Sequence, residues 1–291
     1  MTLTWNGRRF DWVNVAYFAA IHGIALTAPW HFTWTGLYVF LFLYWLSASI
    51  GIGVTYHRLL THSSYEVARP LRWLLATIGT LASEGGPISW VSMHRAHHLF
   101  SDRQGKDLHT PKDGFWWSHF GWIVCYLDSS NDDYNRRYAP DLLADPVLRA
   151  LDRFHVMPNI LVGLGLYAWG GWSLVVWGVF LRLAVVLNVT WFVNSATHTW
   201  GYRTYETPEG SRNLWWVGLL AFGEGWHNNH HAFQRSARHG LAWWELDLNW
   251  LAIRTLAALG IAKDVQGIPA SAERFRIGGP PQGLGAEADA A

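Results

Sequence analysis

Histidines at metal-ligand spacing are the residues of this chain that could do chemistry. In Gly223-Glu224-Gly225-Trp226-His227-Asn228-Asn229-His230-His231, the imidazoles His227, His230 and His231 stand at i, i+3 and i+4, on one face of a helix. His94-Arg95-Ala96-His97-His98 repeats the spacing. His57 and His62 sit where a long apolar run ends, and His198 where another ends. A neutral imidazole suits iron, zinc or copper, and nothing structural requires this repetition, so the nine together read as a metal centre. At four to five ligands per ion they suit two metals, with water completing a position. His22, His31, His109, His119, His155 and His239 show no such pattern and read as ordinary core or surface residues.

Other chemistries lack their residues. A metalloprotease needs His-Glu-x-x-His, which is missing, and soluble di-iron carboxylate proteins need two Glu-x-x-His motifs, of which only Glu224-Gly225-Trp226-His227 is present. The single cysteine, Cys125, excludes an intrachain disulfide and an iron–sulfur cluster. There is no GxGxxG or P-loop pattern, and a net charge of +1 without a long basic run speaks against nucleic acid.

Composition places the centre at a membrane: 21 Trp and 51% hydrophobic residues stand against 15% charged. After Asp11 no Asp, Glu, Lys or Arg occurs until Arg58, room for two spans at about 12–28 and 35–56, with His57 at the exit. A second apolar block, 154–202, holds only Arg182 among those types, and Gly170-Gly171 marks a hairpin between two more spans. Arg182 must face protein, water or headgroup. Residues 73–83 are too short to span and read as an interfacial amphipathic helix; 240–259 reads as a Trp-rich surface helix. The loops around Pro29 and Gly170 lack Lys and Arg, whereas Arg8, Arg9, Arg58, Arg69, Arg72, Arg149, Arg153, Arg203 and Arg212 flank the other ends. Both termini and all nine histidines are therefore expected on the cytoplasmic side. Carboxylate-poor metals facing a membrane point to O2 activation directed at an apolar substrate.

The boxes His57-Arg58-Leu59-Leu60-Thr61-His62, His94-Arg95-Ala96-His97-His98 and His227-Asn228-Asn229-His230-His231 resemble those of the membrane fatty-acyl desaturases, nearest the stearoyl-CoA, or delta-9, type. The resemblance includes Asn194-Ser195-Ala196-Thr197-His198, Gly201-Tyr202-Arg203 and 114–122, and so most of 35–250. It implies an all-α integral membrane protein: four transmembrane helices under a cytosolic helical cap that holds a di-iron site. The desaturase domain would cover 1–276, with a disordered tail at 277–291. The implied activity is O2-dependent formation of a cis double bond in a saturated C16 or C18 chain. The implied ligands are the nine histidines, with Asn194 reaching a metal through water. Trp90 and Thr190 match positions at the bend of the acyl tunnel, and Glu84 stands where the animal enzymes have Gln. Zinc can replace iron on overexpression.

Ser92-Met93 replaces the Arg-Asp with which animal enzymes hold CoA, so acyl-CoA and acyl-lipid both remain as substrates. Arg136 and Arg137 resemble a basic segment near the headgroup. No haem- or flavin-binding segment is visible, so electrons are expected from a ferredoxin, rubredoxin or cytochrome b5 type donor with its reductase. Two alternatives use the same residues differently. Related hydroxylases, acetylenases or olefin-forming decarboxylases share the boxes, and a metal transporter would need ionisable ligands across the bilayer, where only Arg182 is charged.

Overall fold

The computed structural model describes residues 3–126, 132–269, 272 and 275–277. The expected tail at 277–291 lies, apart from Ile277, outside them. Among the described residues the regular elements are helices, apart from one unanticipated hairpin of β1 (Thr4–Trp5) and β2 (Arg8–Arg9). Its signal was Asn6-Gly7, both at positive φ, the pair that a tight two-residue turn demands.

Helix α1 (Trp12–Ala25) starts where the Asp11 carboxylate accepts from the Val13 and Asn14 amides. Helix α2 (Trp34–Thr61) starts at Thr33, whose Oγ1 accepts from Gly36 N at 2.9 Å. It outruns its expected end at residue 56, so His57 lies inside the helix. The last five residues stay helical because α3 (Arg69–Thr80), α4 (Pro87–Phe100) and α11 (Leu248–Ala258) surround and bury them. From Trp45 to Thr61 the helix winds wide, with bonds such as His62 N to His57 O spanning five residues. That winding matters because five residues of a regular α-helix turn about 140° past a full circle. His57 and His62 would then face apart, whereas a wider turn brings them near alignment; their rings are 4.9 Å apart.

Helix α3 begins earlier than the expected residue 73, with Pro70 in its first turn. It lies against α2 where Gly51 and Gly79 let the backbones close: a Cβ on Gly79 would sit 2.1 Å from the Tyr56 ring. Three short helices, α5 (Asp132–Tyr138), α6 (Pro140–Leu143) and α7 (Pro146–Arg153), lead into the long run α8 (Met157–Ser195). This run breaks at Gly170 and Gly171 and folds back on itself, so that Leu166 packs into the notch at Gly178. We call its arms α8a and α8b. After them come α9 (Trp215–Leu220), α10 (His227–Ala232) and α11. The surface helix expected over 240–259 is confined to α11. Residues 239–247 instead fold as a loop around the buried Glu245 and Asp247 carboxylates, which accept backbone amides that a helix would have used internally.

By length and composition, α2 and the Met157–Ser195 run could each cross a membrane, and α1 is a shorter apolar helix. The loop at Pro29 and the Gly170 end of α8 adjoin, with Trp177 Nε1 donating to Ala28 O at 3.1 Å. Exposed Trp30, Trp34, Trp169 and Trp172 cluster in sequence around this end. One core joins α1, the first half of α2 and both arms of α8; a second joins the rest of α2 to α3, α4, α7 and α11.

At φ +71° and ψ −162°, Gly171 occupies backbone space that other residues rarely enter. Gly171→Ala should cost about 1 to 3 kcal/mol. Gly165→Ala, with open space at its Cβ position, should be neutral or stabilise by up to about 1 kcal/mol. Thermal unfolding in detergent measures both; equal midpoints would contradict the hairpin.

Candidate metal centre

Three helices and a turn deliver the histidines. His57 comes from the wide end of α2 and His62 caps it; His94, His97 and His98 come from α4; His198 follows α8b; His227, His230 and His231 come from α10. A six-residue helix needs outside support, and the two asparagines between the histidines supply it. The Asn213 carboxamide accepts from the amides of Asn228 and Asn229 at the start of α10. Asn228 in turn holds the Thr204 and Tyr205 amides, and Asn229 donates to His239 O and Glu245.

The nine imidazoles divide into two groups. His57, His62, His94, His98 and His230 offer nitrogens within 4.8 Å of one another, and so do His97, His198, His227 and His231. In the first, Nε2 of His230 stands 3.0 Å from Nε2 of both His57 and His98, and His98 stands 3.0 Å from His94. In the second, Nε2 of His227 lies 3.1 Å from His198 and 3.0 Å from His231. Two nitrogens at about 2.1 Å from a common ion and at right angles around it would be about 3.0 Å apart, so the donors fit one metal per group. His62 Nε2, buried with no hydrogen-bond partner, adds an orphaned donor of the kind a metal would satisfy.

Acids grip the far side of four rings. Nδ1 of His57 meets Glu224, Nδ1 of His97 meets Asp107 at 3.1 Å, Nδ1 of His198 meets Asp102 at 3.1 Å, and Nδ1 of His231 meets Glu209 at 3.0 Å. An Nδ1–H donated to a carboxylate fixes the tautomer and leaves the Nε2 lone pair free. Burial raises the Asp102 carboxyl, but the His198 hydrogen bond and charge and the Gly210 amide bring it down to about 2. Burial likewise opposes the Glu224 anion, yet Arg58, His57 and His239 hold it well below the carboxylate range. Burial also pushes His94, His98, His227, His230 and His231 well below the usual imidazole range, keeping them neutral as metal ligands must be. The triplets His57–Glu224–His239 and His97–Asp107–His109 use their acids in these bonds and support the two groups rather than form further sites.

Beside the first group lies a cavity of about 510 Å3, lined by Glu84, Trp90, Met93, His94, Thr190 and Asn194 among others. Trp90 stacks on His94 with ring centres 4.9 Å apart and donates from Nε1 to Glu84 Oε2 at 3.0 Å. Burial pushes the Glu84 carboxyl up to about 7, against the hydrogen bonds from Thr190 and Trp90. Arg136 and Arg137 stand apart from this cavity on the exposed face of α5, where Arg136 pairs with Asp133 and Arg137 lies over Tyr138.

Sequence reasoning missed the four acids, because nothing in their local spacing ties Glu224 to His57, 167 residues away, or Asp102 to His198, 96 away. It also took Arg58 for a flanking cation. The guanidinium is instead fully buried, bonded to Glu224, Asp247 and Ala237 O, and thereby anchors the acid behind His57.

Glu209→Ala should leave the fold in place, because the His231 ring stays packed among its neighbours, while releasing its orientation. Metal retention should fall by roughly ten- to a hundredfold, the usual effect of losing such a partner. Titration with a competing chelator measures it; unchanged retention would contradict the assignment.

The fatty acid desaturase family model matches residues 28–263. The sn-1 stearoyl-lipid 9-desaturase of Anabaena variabilis is 48% identical over 260 residues, covering 89% of this chain and 94% of that protein. The sn-2 palmitoyl-lipid 9-desaturase of Nostoc sp. (strain 36) is 45% identical over 280 residues, covering 96% and 94%. Delta-9 acyl-lipid desaturase 2 of Arabidopsis thaliana is 42% identical over 278 residues, covering 93% and 87%. With this likeness running through every histidine box, the chain belongs to the fatty acid desaturase family and is an oxidoreductase of lipid metabolism.

Proposed function

We propose that this protein is an O2-dependent di-iron desaturase that places a cis double bond at the delta-9 position of a saturated C16 or C18 chain carried on a membrane lipid. The observation that carries the reading is the junction of the two histidine groups with the cavity: His94 belongs to one group and also lines the cavity wall. Relatives named as lipid 9-desaturases support the position and the carrier. Met93 supports the carrier too, since it presents a thioether to the cavity where the animal enzymes have a carboxylate for CoA.

Bound iron would supply the oxidising power that removes hydrogen from an unactivated carbon, with O2 as co-substrate and two electrons from a ferredoxin, rubredoxin or cytochrome b5 type donor. The protein's own residues would do the rest. The nine histidines would hold the ions, and Asn194, which like His94 lines the cavity, would reach one through water. Trp90, Thr190 and Glu84 would form the bend that decides which carbon stops near the metals. An acyl chain has no polar mark at its middle, so reach and bend are the available means of choosing a carbon. Arg136 and Arg137, exposed on α5, are candidates for contact with a headgroup. In the membrane, α1, α2 and the two arms of α8 would be the four spans, with the metal centre and both termini on the cytoplasmic side, a topology supported by the adjoining cation-free loops.

Expression in a desaturase-deficient host, with the double bond located by mass spectrometry of the lipids, should give one cis delta-9 product. His94→Ala, His98→Ala, His227→Ala and His231→Ala proteins should insert but make none. A hydroxylated product or a terminal olefin would overturn the proposal.

A further inference from the structure

Arg182 is a cation buried within a long apolar helix, and among the described residues no carboxylate pairs with it. Its guanidinium is spent on neutral oxygens: Nε donates to Gly178 O at 2.9 Å, Nη1 to Leu81 O, and Nη2 to Asn159 Oδ1 at 2.6 Å. The Asn159 amide continues the chain, donating to Thr80 O and Ser83 Oγ, each at 3.0 Å. Arg182 on α8b and Asn159 on α8a thus hold the carbonyl end of α3, where free C=O groups favour a cation.

The next helix receives the opposite treatment. Asp152, on α7, accepts from Ile88 N and Ser89 N at 2.9 Å and from Ser89 Oγ at 3.0 Å, at the amide end of α4. Between the two clamps run Ser83 at φ +57°, Glu84, Gly85 at φ +102° and Gly86, whose added Cβ would lie 2.3 Å from Asp152. Two positive φ values so close together cost energy, at Ser83 above all, so surrounding contacts must hold the turn in place. Its one long side chain, Glu84, reaches into the cavity and accepts from Trp90.

We infer that Arg182 with Asn159 on one side, and Asp152 on the other, are positioning residues that place Glu84 and Trp90 against the substrate and so determine which carbon is desaturated. This rests on the proposed function, and none of the three residues belongs to either histidine group. A displaced turn would leave the metals bound yet let the acyl chain settle in more than one register. A misplacement of about 1 Å commonly costs up to about a hundredfold in rate.

The test compares wild type with Arg182→Met, Arg182→Lys and Asp152→Ala in the desaturase-deficient host, reading double-bond position, turnover and metal content of the purified proteins. Arg182→Met and Asp152→Ala should keep the wild-type metal content, spread the double bond over neighbouring carbons and slow turnover by roughly ten- to a hundredfold. Arg182→Lys, with its charge but not its fork, should restore part of both. Variants that keep metal, a single position and the wild-type rate would overturn the inference, as would slow variants that lose metal without any spread. If Arg182→Met does not accumulate, Asp152→Ala decides by the same criteria. A wild type that makes no double bond overturns the functional reading and this inference with it. A wild type with one defined product, beside variants with the same product and rate, overturns this inference alone.

Discussion

The structure depends on gathering nine imidazoles into two groups, with the Nε2 atoms of seven of them turned toward one another at about 3 Å. A proton between two such nitrogens satisfies one pair only, whereas a cation satisfies every donor around it. Burial favours the neutral form, and the acids on Nδ1 orient the rings so that Nε2 looks inward. Those acids must themselves be held as anions in a buried place. Arg58 does this for Glu224, and backbone amides do it for Asp102 and Asp107. Remove the arrangement of charges and the helix ends α2, α4 and α10 would carry polar rings with nothing to bind.

The histidine spacing was readable because i, i+3, i+4 is itself a geometric statement, which α4 and α10 honour directly. His57 and His62 were readable as residues but not as neighbours, since a regular helix would set them apart and only the wide winding of α2 unites them. The hairpin at Gly170-Gly171 was legible because glycine is the residue that tolerates its backbone angles. Residues 240–247 misled for the converse reason. They read as part of a Trp-rich surface helix, but the pull of Glu245 and Asp247 on backbone amides is a tertiary effect that no local pattern announces.

A division of labour follows from the two cores. One packs α1, the first half of α2 and the arms of α8 with large apolar side chains exposed on the outside; the other packs α4 and the end of α2, which carry five of the histidines, against α3, α7 and α11. Helix α2 belongs to both, so it delivers His57 from the apolar bundle straight into the polar centre. The cavity lies at the same junction, bounded by Phe18 and Leu187 from the bundle and by Trp90 and His94 from the other core. An apolar chain in this cavity would lie against His94 of the first histidine group.

The central claim is that each histidine group holds one iron. Anomalous diffraction at the iron absorption edge, from crystals of catalytically active protein, tests it most directly. Two peaks are predicted, one within reach of His57, His62, His94, His98 and His230 and the other of His97, His198, His227 and His231. A single peak, no peak, or iron bound elsewhere in active protein would contradict the account.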